Sequence, residues 1–274
     1  MFQPVEIGLA PWSHAQMQSE LERFYALLDA RPICNNSGGM QAPHLFAVWF
    51  MARALQPAAI VESGVWKGQG TWMLRQACPD AAMHCIEPCQ SRIEFRDDRA
   101  TYHTRDFAAG NWDHLDRERT LLVFDDHVNA LHRVREARKL GFRHLIIEDN
   151  YPAPRGDCYS LKKAFAGAGF SSPGNGGGSK YKALLAGKWR RRKEVCPNVQ
   201  PNPDDARYLN RHLDVYSEFP PLFRPSRTRW GDDWTDEHYP TPPALLQEAD
   251  RVRFPVLWRE ALSYTWICYA RLKR

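Results

Sequence analysis

The segment that most constrains the fold is an apolar run that ends in an acid and continues into three glycines, spaced Glu-x-Gly-x-x-x-Gly-x-Gly. Its defining residues are Glu62, Gly64, Gly68 and Gly70. β-Branched apolar residues before a glycine-rich turn predict a buried parallel strand, and residues 71–78 then predict a helix. Glycines let the backbone turn sharply and leave room for a ligand at the carboxyl end of the strand. The segment therefore predicts a ligand-binding strand, loop and helix.

The same alternation continues along the chain. Further apolar runs end in acids at 83–87, 121–125 and 144–148, and residues 130–140 predict a helix between the last two. Alternating strands and helices predict an α/β fold with a doubly wound, mainly parallel sheet. Acids at the carboxyl edge of such a sheet repel one another unless something cationic lies between them. We therefore expect the ligand site at this edge.

Proline, glycine, arginine and tryptophan dominate residues 152–243, where the strand and helix pattern ends. A stretch of this kind predicts a cap over the site with a few short helices, such as 206–216. We predict one domain, since 274 residues can bury a full core. Its parts are N-terminal helices and a glycine-rich lid (1–55), the ligand-binding core (56–151), the irregular cap (152–243), and a C-terminal helix and edge strand (244–274).

Composition narrows the class of protein. No apolar stretch is long enough to span a membrane, and the N-terminus lacks a basic segment followed by an apolar one. The seven cysteines are odd in number and scattered, which favours reduced thiols. We expect a soluble, cytoplasmic protein, and the sequence leaves a homo-oligomer open. The net charge of +5 is modest and no nucleic-acid-binding motif accompanies it, so no nucleic acid partner is expected.

The glycine motif separates classes of ligand. A dinucleotide fold prefers Gly-x-Gly-x-x-Gly, and a phosphate-binding P-loop needs a Lys-Ser/Thr pair that is missing here. An acid such as Glu62 accepts instead from an ammonium group. Glu87, at the end of the second predicted strand, is placed to accept from the two ribose hydroxyls of a nucleoside. A glycine-rich turn without a ligand is the simpler alternative.

Two neighbouring strand ends carry the sequences Asp125-Asp126-His127 and Glu148-Asp149-Asn150. They bring Asp125, Glu148 and Asp149 within reach of one point, and three hard oxygen donors with open positions suit Mg²⁺ or Mn²⁺. A solvated acidic rim with ion pairs to nearby basic residues is the alternative. Histidine titrates near neutrality, so His127 is the candidate general base, and it could itself be a ligand.

With this motif the chain resembles class I S-adenosylmethionine (SAM) methyltransferases, whose fold is Rossmann-like. The acids after the fourth and fifth strands narrow the resemblance to the metal-dependent O-methyltransferases grouped with macrocin-type sugar O-methyltransferases and cephalosporin-hydroxylase-like proteins. The resemblance covers residues 60–150. It implies a metal on Asp125, Glu148 and Asp149 with His127 as the base. It leaves open whether Asp126 replaces Asp125 as a ligand or takes part in catalysis.

The resemblance also implies how SAM is held. The cofactor would lie over the glycines, with its amino acid end near Glu62 and its ribose on Glu87. Asp106 would accept from the adenine amino group, and Phe107 would pack on the adenine ring. The implied cofactor-binding residues are Glu62, Gly64, Lys67, Gly68, Gly70, Thr71, Glu87, Asp106, Phe107 and Asp125.

We therefore expect a SAM-dependent O-methyltransferase that acts on a hydroxyl of a sugar, a glycan or a polyhydroxylated natural product. A metal-dependent hydroxylase on the same fold would need two histidines and one carboxylate, such as His127 with His103 or His144. A non-catalytic nucleotide-binding protein is the third hypothesis, since one fold hosts many functions.

Charged and aromatic residues predict where the methyl acceptor binds. The residues proposed there, in the N-terminal loop and the cap, are Asn35, Asn36, His44, Arg224, Arg227 and Arg229, together with the basic run 188–193. Arginine grips phosphate or carboxylate groups bidentately, and the faces of Trp230 and Trp234 can stack on sugar rings. These residues predict an anionic small-molecule or glycan acceptor, and a solvated loop is the alternative.

Overall fold

One sheet organises the part of the chain that the structure describes, which in this computed structural model is residues 7–8, 10–33, 35–153, 155–169, 201–234 and 241–274. Its strands are β1 (Ala59–Ser63), β2 (Ala82–Ile86), β3 (Thr101–His103), β4 (Thr120–Phe124), β5 (His144–Ile147), β6 (Leu213–Glu218) and β7 (Cys268–Leu272). Their order across the sheet is β3-β2-β1-β4-β5-β7-β6. The first five strands run parallel, and β7 runs antiparallel to both of its neighbours. The predicted Rossmann-like, doubly wound sheet is confirmed.

Helices cover both faces of the sheet. They are α1 (His14–Ser19), α2 (Leu21–Leu28), α3 (Ala42–Leu55), α4 (Gln69–Ala77), α5 (Ala130–Lys139), α6 (Leu161–Phe165), α7 (Pro203–His212) and α8 (Pro255–Arg259). Alternate strand residues point to opposite faces, so Ile60 packs in the apolar cluster that contains α3 and α4, whereas Val61 packs in the one that contains α5 and α6. Among the described helices, none has the length and apolar character needed to cross a membrane.

The predicted cap and C-terminal strand need two corrections. The C-terminal strand β7 does not close the sheet edge, because β6 pairs along its outer side. The predicted helix over 206–216 is wrong in its last residues, since α7 ends at His212 and β6 begins at Leu213. Leu213 and Val215 alternate as buried residues against β7, and this pairing overrides the local helical pattern. Part of the predicted cap is therefore the edge of the sheet.

The turn after β1 depends on a glycine. Gly64 has a φ of +96°, and a β-carbon added there would lie 2.1 Å from the backbone carbonyl oxygen of Asp125. The amide of Asp125 donates in turn to the carbonyl of Ser63 at 2.8 Å. The loops that follow β1 and β4 are therefore in direct backbone contact, and only a residue without a side chain fits between them.

We expect Gly64→Ala to lower the free energy of unfolding by about 3 kcal/mol or more, because left-handed strain adds to a backbone clash. Gly231→Ala is the matched control, since Gly231 has a φ of +80° and nothing within 4 Å of an added β-carbon. That variant carries only the strain, about 1–2 kcal/mol. Denaturant unfolding followed by circular dichroism measures both. Equal losses in the two variants would contradict the backbone contact.

Candidate functional site

Two adjoining pockets open at the carboxyl ends of β1 and β4, and Asp125 lines both of them. The first pocket is also lined by Asn36, Gly39, Met40, Glu62, Gly64, Val65, Trp66, Gln69 and Gly70. The second is lined by Phe124, Asp126, His127, Val128, Ala130, Arg133, Ile147, Glu148, Asp149 and Cys158. The predicted location of the site at this edge of the sheet agrees with these pockets.

Glu62 is fully buried at the floor of the first pocket. Its Oε2 accepts hydrogen bonds from Thr71 Oγ1 at 2.5 Å and from Cys85 Sγ at 3.6 Å. Its Oε1 is buried without a hydrogen-bond partner in the described part of the chain, and a β-carbon on Gly70 would lie 2.7 Å from it. Burial raises the pKa of Glu62 to about 7, against the opposing effect of the Thr71 hydrogen bond. The unpaired Oε1 of Glu62 can therefore accept a hydrogen bond from a donor on a ligand in this pocket.

Other polar atoms without a partner share this pocket. Within the described residues, Asn36 Oδ1 and both polar side-chain atoms of Gln69 are buried and unpaired. Asn36 Nδ2 donates to the carbonyl of Met40 at 2.8 Å, which fixes the amide. The unpaired oxygens of Glu62, Asn36 and Gln69 suit a ligand that carries several N–H donors, such as an ammonium group, and Gln69 Nε2 can donate to an acceptor on the same ligand. Asn36 therefore lies in the Glu62 pocket rather than at a separate acceptor surface.

The remaining predicted residues of the glycine motif have structural partners. Lys67 Nζ donates to the carbonyl of Asn35 at 2.8 Å and pairs with Glu94 at 2.7 Å, so it ties the N-terminal loop to the motif. Asn35 is exposed, and its Oδ1 accepts from the amide of Ser37. Gly68 has a φ of +100°, and a β-carbon there would lie 2.1 Å from the carbonyl oxygen of Phe95. Lys67, Asn35 and Gly68 thus build the loop, and none of them lines the two pockets.

Glu87 is the first residue after β2 and is held by backbone amides. Its Oε2 accepts from the amide of Trp66 at 3.1 Å, and its Oε1 accepts from the amide of Cys89 at 2.9 Å. Trp66 has a φ of +53°, a strained conformation for this residue. Each carboxylate oxygen keeps a second lone pair, so Glu87 can still accept from two hydroxyls.

Asp106 and Phe107 lie outside both pockets. Arg133 binds Asp106 with two hydrogen bonds, at 2.6 and 3.1 Å. Phe107 is fully buried and packs against Trp112 and Phe124 in the core. The structure therefore gives Phe107 a packing role where the sequence predicted contact with adenine, because the apolar residue after β3 is drawn into the cluster under α5.

The acids after β4 and β5 converge in the second pocket. Ligand atoms of Asp125, His127 and Asp149 lie within 4.8 Å of one another. The Glu148 carboxyl lies within hydrogen-bonding range of Asp125 and Asp149, and its Oε2 is buried without a partner among the described residues. Burial, with the neighbouring acids, raises the pKa of Glu148 well above its usual value and that of Asp125 to about 8. Such crowding of hard oxygens fits a divalent cation.

Asp126 faces away from this cluster. It accepts from Ser63 Oγ at 2.7 Å and from Arg133 at 2.7 and 3.0 Å, and its other oxygen accepts from the amide of Val128. Asp125, and not Asp126, therefore has a carboxylate oxygen close to Asp149. This favours Asp125 as the candidate metal ligand. Asp126 holds the turn that carries His127, through its bond to the amide of Val128.

His127 lies between acids on a strained backbone. Its Nδ1 is 3.1 Å from Asp157 and 3.2 Å from Asp149. Both His127 and Asp149 have positive φ, at 53° and 52°, which are conformations that persist at functional sites when the surroundings impose them. Burial lowers the pKa of His127, but the Asp157 hydrogen bond and the charges of Asp149 and Asp125 outweigh it and raise the pKa to about 10. With this raised pKa, His127 is protonated at neutral pH. It can act as a base only when another positive charge offsets these acids and lowers its pKa.

His44 does not reach an acceptor surface as predicted, because it is buried against Glu148. Its Nε2 accepts from the amide of Thr265 at 3.0 Å, which places the ring proton on Nδ1. Nδ1 donates to Glu148 Oε1 at 2.5 Å. Burial lowers the pKa of His44 to about 4, so the imidazole is neutral. His44 thus fixes Oε1 of Glu148, and Oε2 is the oxygen left without a partner among the described residues.

Aromatic side chains lie beside the acids. Tyr151 is within hydrogen-bonding range of Asp149, and its ring is 5.7 Å from that of Trp230. Trp230 stacks on the buried Trp266 at 6.2 Å and an interplanar angle of 9°. The sequence did not single out Tyr151 or Trp266, although Tyr151 lies two residues beyond a predicted ligand. Its closeness in sequence to Asp149 is the one feature from which Tyr151 could have been predicted as a site residue.

The three predicted arginines differ in their partners. Arg227 pairs with Asp233 at 2.5 Å. Arg224 lies over the ring of Trp234 at 5.0 Å, and Arg229 lies over the ring of Trp230 at 5.8 Å. The charge of Arg229 also contributes to the lowered pKa of His44, which contacts Glu148, so Arg229 lies within electrostatic range of the acids. The basic run 188–193 lies outside the described residues.

No family model matches the sequence, and no curated protein matches it significantly. Similar solved structures include the O-methyltransferase TomG from Streptomyces achromogenes, involved in tomaymycin synthesis and bound to SAM, with 11% identity over 98% of this chain and 93% of that chain and a TM-score of 0.45. An O-methyltransferase from Bacillus cereus bound to SAH has 11% identity, 97% and 93% coverage and a TM-score of 0.43.

A tRNA (m1A58) methyltransferase, TrmI from Aquifex aeolicus, is similar as well, with 8% identity, 93% and 76% coverage and a TM-score of 0.44. The similarity is one of fold. At these identities and TM-scores, the similarity does not assign a cofactor or an acceptor to this chain. Both have to be inferred from its own residues.

We expect Glu148→Gln to stabilise the protein in chelator at pH 8 by about 1–2 kcal/mol relative to wild type. The folded protein binds the Glu148 proton more tightly than the unfolded chain, so the ionised carboxyl costs stability increasingly as pH rises above the unfolded pKa of about 4.3. Glutamine keeps the acceptor for His44 without the charge. Denaturant unfolding at pH 5 and pH 8 checks this, and the gain should shrink at pH 5.

Glu118→Gln is the control, because Glu118 is a partly exposed acid that pairs with Arg143 at 2.9 Å. It should not stabilise the protein at either pH. A Glu148→Gln variant that is less stable than wild type at pH 8 in chelator would contradict the crowding of acids.

Proposed function

We propose that this chain is a SAM-dependent O-methyltransferase that uses Mg²⁺ or Mn²⁺ and methylates a hydroxyl of a sugar, glycan or polyhydroxylated small molecule. The observation that carries the proposal is the meeting of two different pockets at Asp125. One presents unpaired acceptors suited to an ammonium group, and the other presents crowded acids suited to a cation. Cation-assisted methyl transfer to a hydroxyl needs both kinds of site side by side.

The first pocket supplies the features that the amino acid end of SAM requires. Glu62 Oε1 and Asn36 Oδ1 would accept from its ammonium group, which would offset the cost of leaving these atoms unpaired. The missing side chain of Gly70 keeps the approach to Glu62 open. Glu87 would take the ribose hydroxyls with its remaining lone pairs. We keep Asp106 as a candidate near adenine, with Arg133 fixing its direction.

The second pocket would hold the cation through Asp125, Glu148 and Asp149, with His127 as neighbour or fourth ligand. When bound, SAM supplies an electrophilic methyl group, and the cation supplies positive charge that lowers the pKa of an acceptor hydroxyl. Hard carboxylate oxygens favour Mg²⁺ or Mn²⁺ over softer ions.

The chain's own residues then orient the acceptor and move the proton. His44 and Arg133 hold Glu148 and Asp126 in fixed directions, which limits the freedom of the acids. His127 lies beside Asp149 and would receive the hydroxyl proton once the surrounding negative charge is neutralised. The rings of Tyr151 and Trp230 offer flat apolar faces for a sugar ring.

The hydroxylase hypothesis lacks its second histidine. His144 lies at the start of β5, where its Nδ1 contacts the Tyr269 hydroxyl at 2.7 Å. His103 contacts His84 on the neighbouring strand. Of the described histidines, only His127 belongs to the group of ligand atoms at the acids. A facial arrangement of His127 with His103 or His144 is therefore not formed.

Gly70→Ala should weaken SAM binding at least tenfold, because the added methyl carbon meets the Glu62 oxygen that we assign to the ammonium group. Alanine is also the better helix former, so the free energy of unfolding should change by less than about 1 kcal/mol. Calorimetric titration with SAM and SAH measures the affinity. Gly231→Ala serves as the control, and unchanged affinity in Gly70→Ala would contradict the cofactor assignment.

Arg229→Gln should raise the KM for an anionic acceptor about tenfold and make it less sensitive to salt, since Arg229 is near the acids. Arg227→Gln is the matched control, because Arg227 is already paired with Asp233, and its KM should stay within about twofold. Initial rates at low and high salt measure both variants. Identical KM values in the two variants would remove Arg229 from the acceptor site.

The direct test of the proposal is methyl transfer from labelled SAM to a panel of neutral and anionic sugars and polyphenols. We expect product with Mg²⁺ or Mn²⁺ and little in EDTA, and loss of activity in Asp149→Asn. Full activity in EDTA would exclude the cation. Tight SAM binding without transfer to any acceptor would favour the nucleotide-binding hypothesis.

A further inference from the structure

A second group of potential metal ligands lies at the lateral edge of the sheet formed by β3 and β2, apart from the two pockets. His84 is in β2, His103 ends β3, and His114 lies in the loop that precedes β4. His84 Nδ1 and His103 Nε2 are 3.2 Å apart. The ring centroids of His84 and His103 are 5.5 Å apart, and those of His84 and His114 are 5.2 Å apart.

These separations match imidazoles that share one ion. With Zn–N distances of about 2.0–2.1 Å, two ligand nitrogens on a tetrahedral ion are about 3.3 Å apart, and their ring centres are about 5 Å apart. The His84 and His103 nitrogens meet this spacing. His114 is exposed on a loop, and its ring lies at 63° to that of His84. Among the described residues, its nitrogens do not form a group of three ligand atoms within 4.8 Å with those of His84 and His103, so binding would require a change of the His114 rotamer.

The surroundings favour neutral imidazoles over charged ones. Burial and the neighbouring imidazoles lower the pKa of His84 to about 4, and burial with His114 lowers that of His103. Each of these two neutral rings therefore has one nitrogen with an available lone pair at pH 7. Trp112 packs edge-on against both rings, and its Nε1 donates to the carbonyl of Phe107 at 2.8 Å, so it does not occupy their nitrogens.

We propose that His84, His103 and His114 bind a divalent transition ion of the Zn²⁺, Ni²⁺ or Cu²⁺ class. Imidazole nitrogen selects these ions, whereas the carboxylates around Asp149 select Mg²⁺ or Mn²⁺. The ion would link β2, β3 and the loop before β4. Its expected effect is to hold the short strand β3 on the sheet edge.

The test measures Zn²⁺ binding in the Asp149→Asn variant, which serves as the background protein. Excess Mg²⁺ is present, so that the carboxylates of the second pocket do not compete with the histidines for Zn²⁺. Calorimetry should show one Zn²⁺ site, and unfolding should shift to higher temperature with Zn²⁺. Adding His84→Gln or His103→Gln should weaken binding at least tenfold. His132→Gln is the matched control, because His132 is an exposed histidine whose partner in α5 is Glu136, and it should leave binding unchanged.

X-ray absorption at the zinc edge, measured on the background protein itself, does not depend on how the histidine variants fold. Several imidazole nitrogens around the ion would support the proposal. Oxygen-dominated coordination, or His84→Gln and His103→Gln variants that bind Zn²⁺ as tightly as the Asp149→Asn background does, would overturn it and leave a neutral hydrogen bond between two histidines.

Discussion

The contact between the turns after β1 and β4 is the constraint on which the rest of the site depends. Gly64 lets the backbone of the first turn press against the carbonyl of Asp125. This contact places Glu62 and Asp125 on the same side of the sheet edge, and Asp125 comes to line both pockets. A side chain at position 64 would separate the turns and with them the two kinds of binding site.

Fixed hydrogen bonds then determine which atoms remain available. Thr71 occupies one oxygen of Glu62, and His44 occupies one oxygen of Glu148, so a single buried oxygen of each acid is left unpaired. Arg133 turns Asp126 away from the cluster that Asp125 joins. The protein therefore bears the cost of buried unpaired oxygens at the positions where ligands are proposed, as expected where binding is favoured over stability.

The sequence predicted the sheet, the glycine turn and the converging acids because these follow from local pattern and strand direction. It could not predict that His44 contacts Glu148, since 104 residues separate them and only the packing of α3 against the C-terminal segment joins them. In the sequence, Arg133 has the pattern of an exposed charged residue on an amphipathic helix. In the structure it is almost fully buried and pairs with Asp106, Asp126 and Glu136. The edge strand β6 was missed because its pairing with β7 is a distant contact.

We propose that a cation at Asp125, Glu148 and Asp149 lies next to the methyl group of bound SAM. Mn²⁺-induced relaxation of ¹³C-methyl-labelled SAM tests it without knowledge of the acceptor. We expect strong relaxation of the methyl signal in the wild-type protein and its loss in Asp149→Asn while SAM stays bound. A methyl signal that Mn²⁺ leaves unchanged in the SAM-bound wild type, or a protein that binds no SAM, would contradict it.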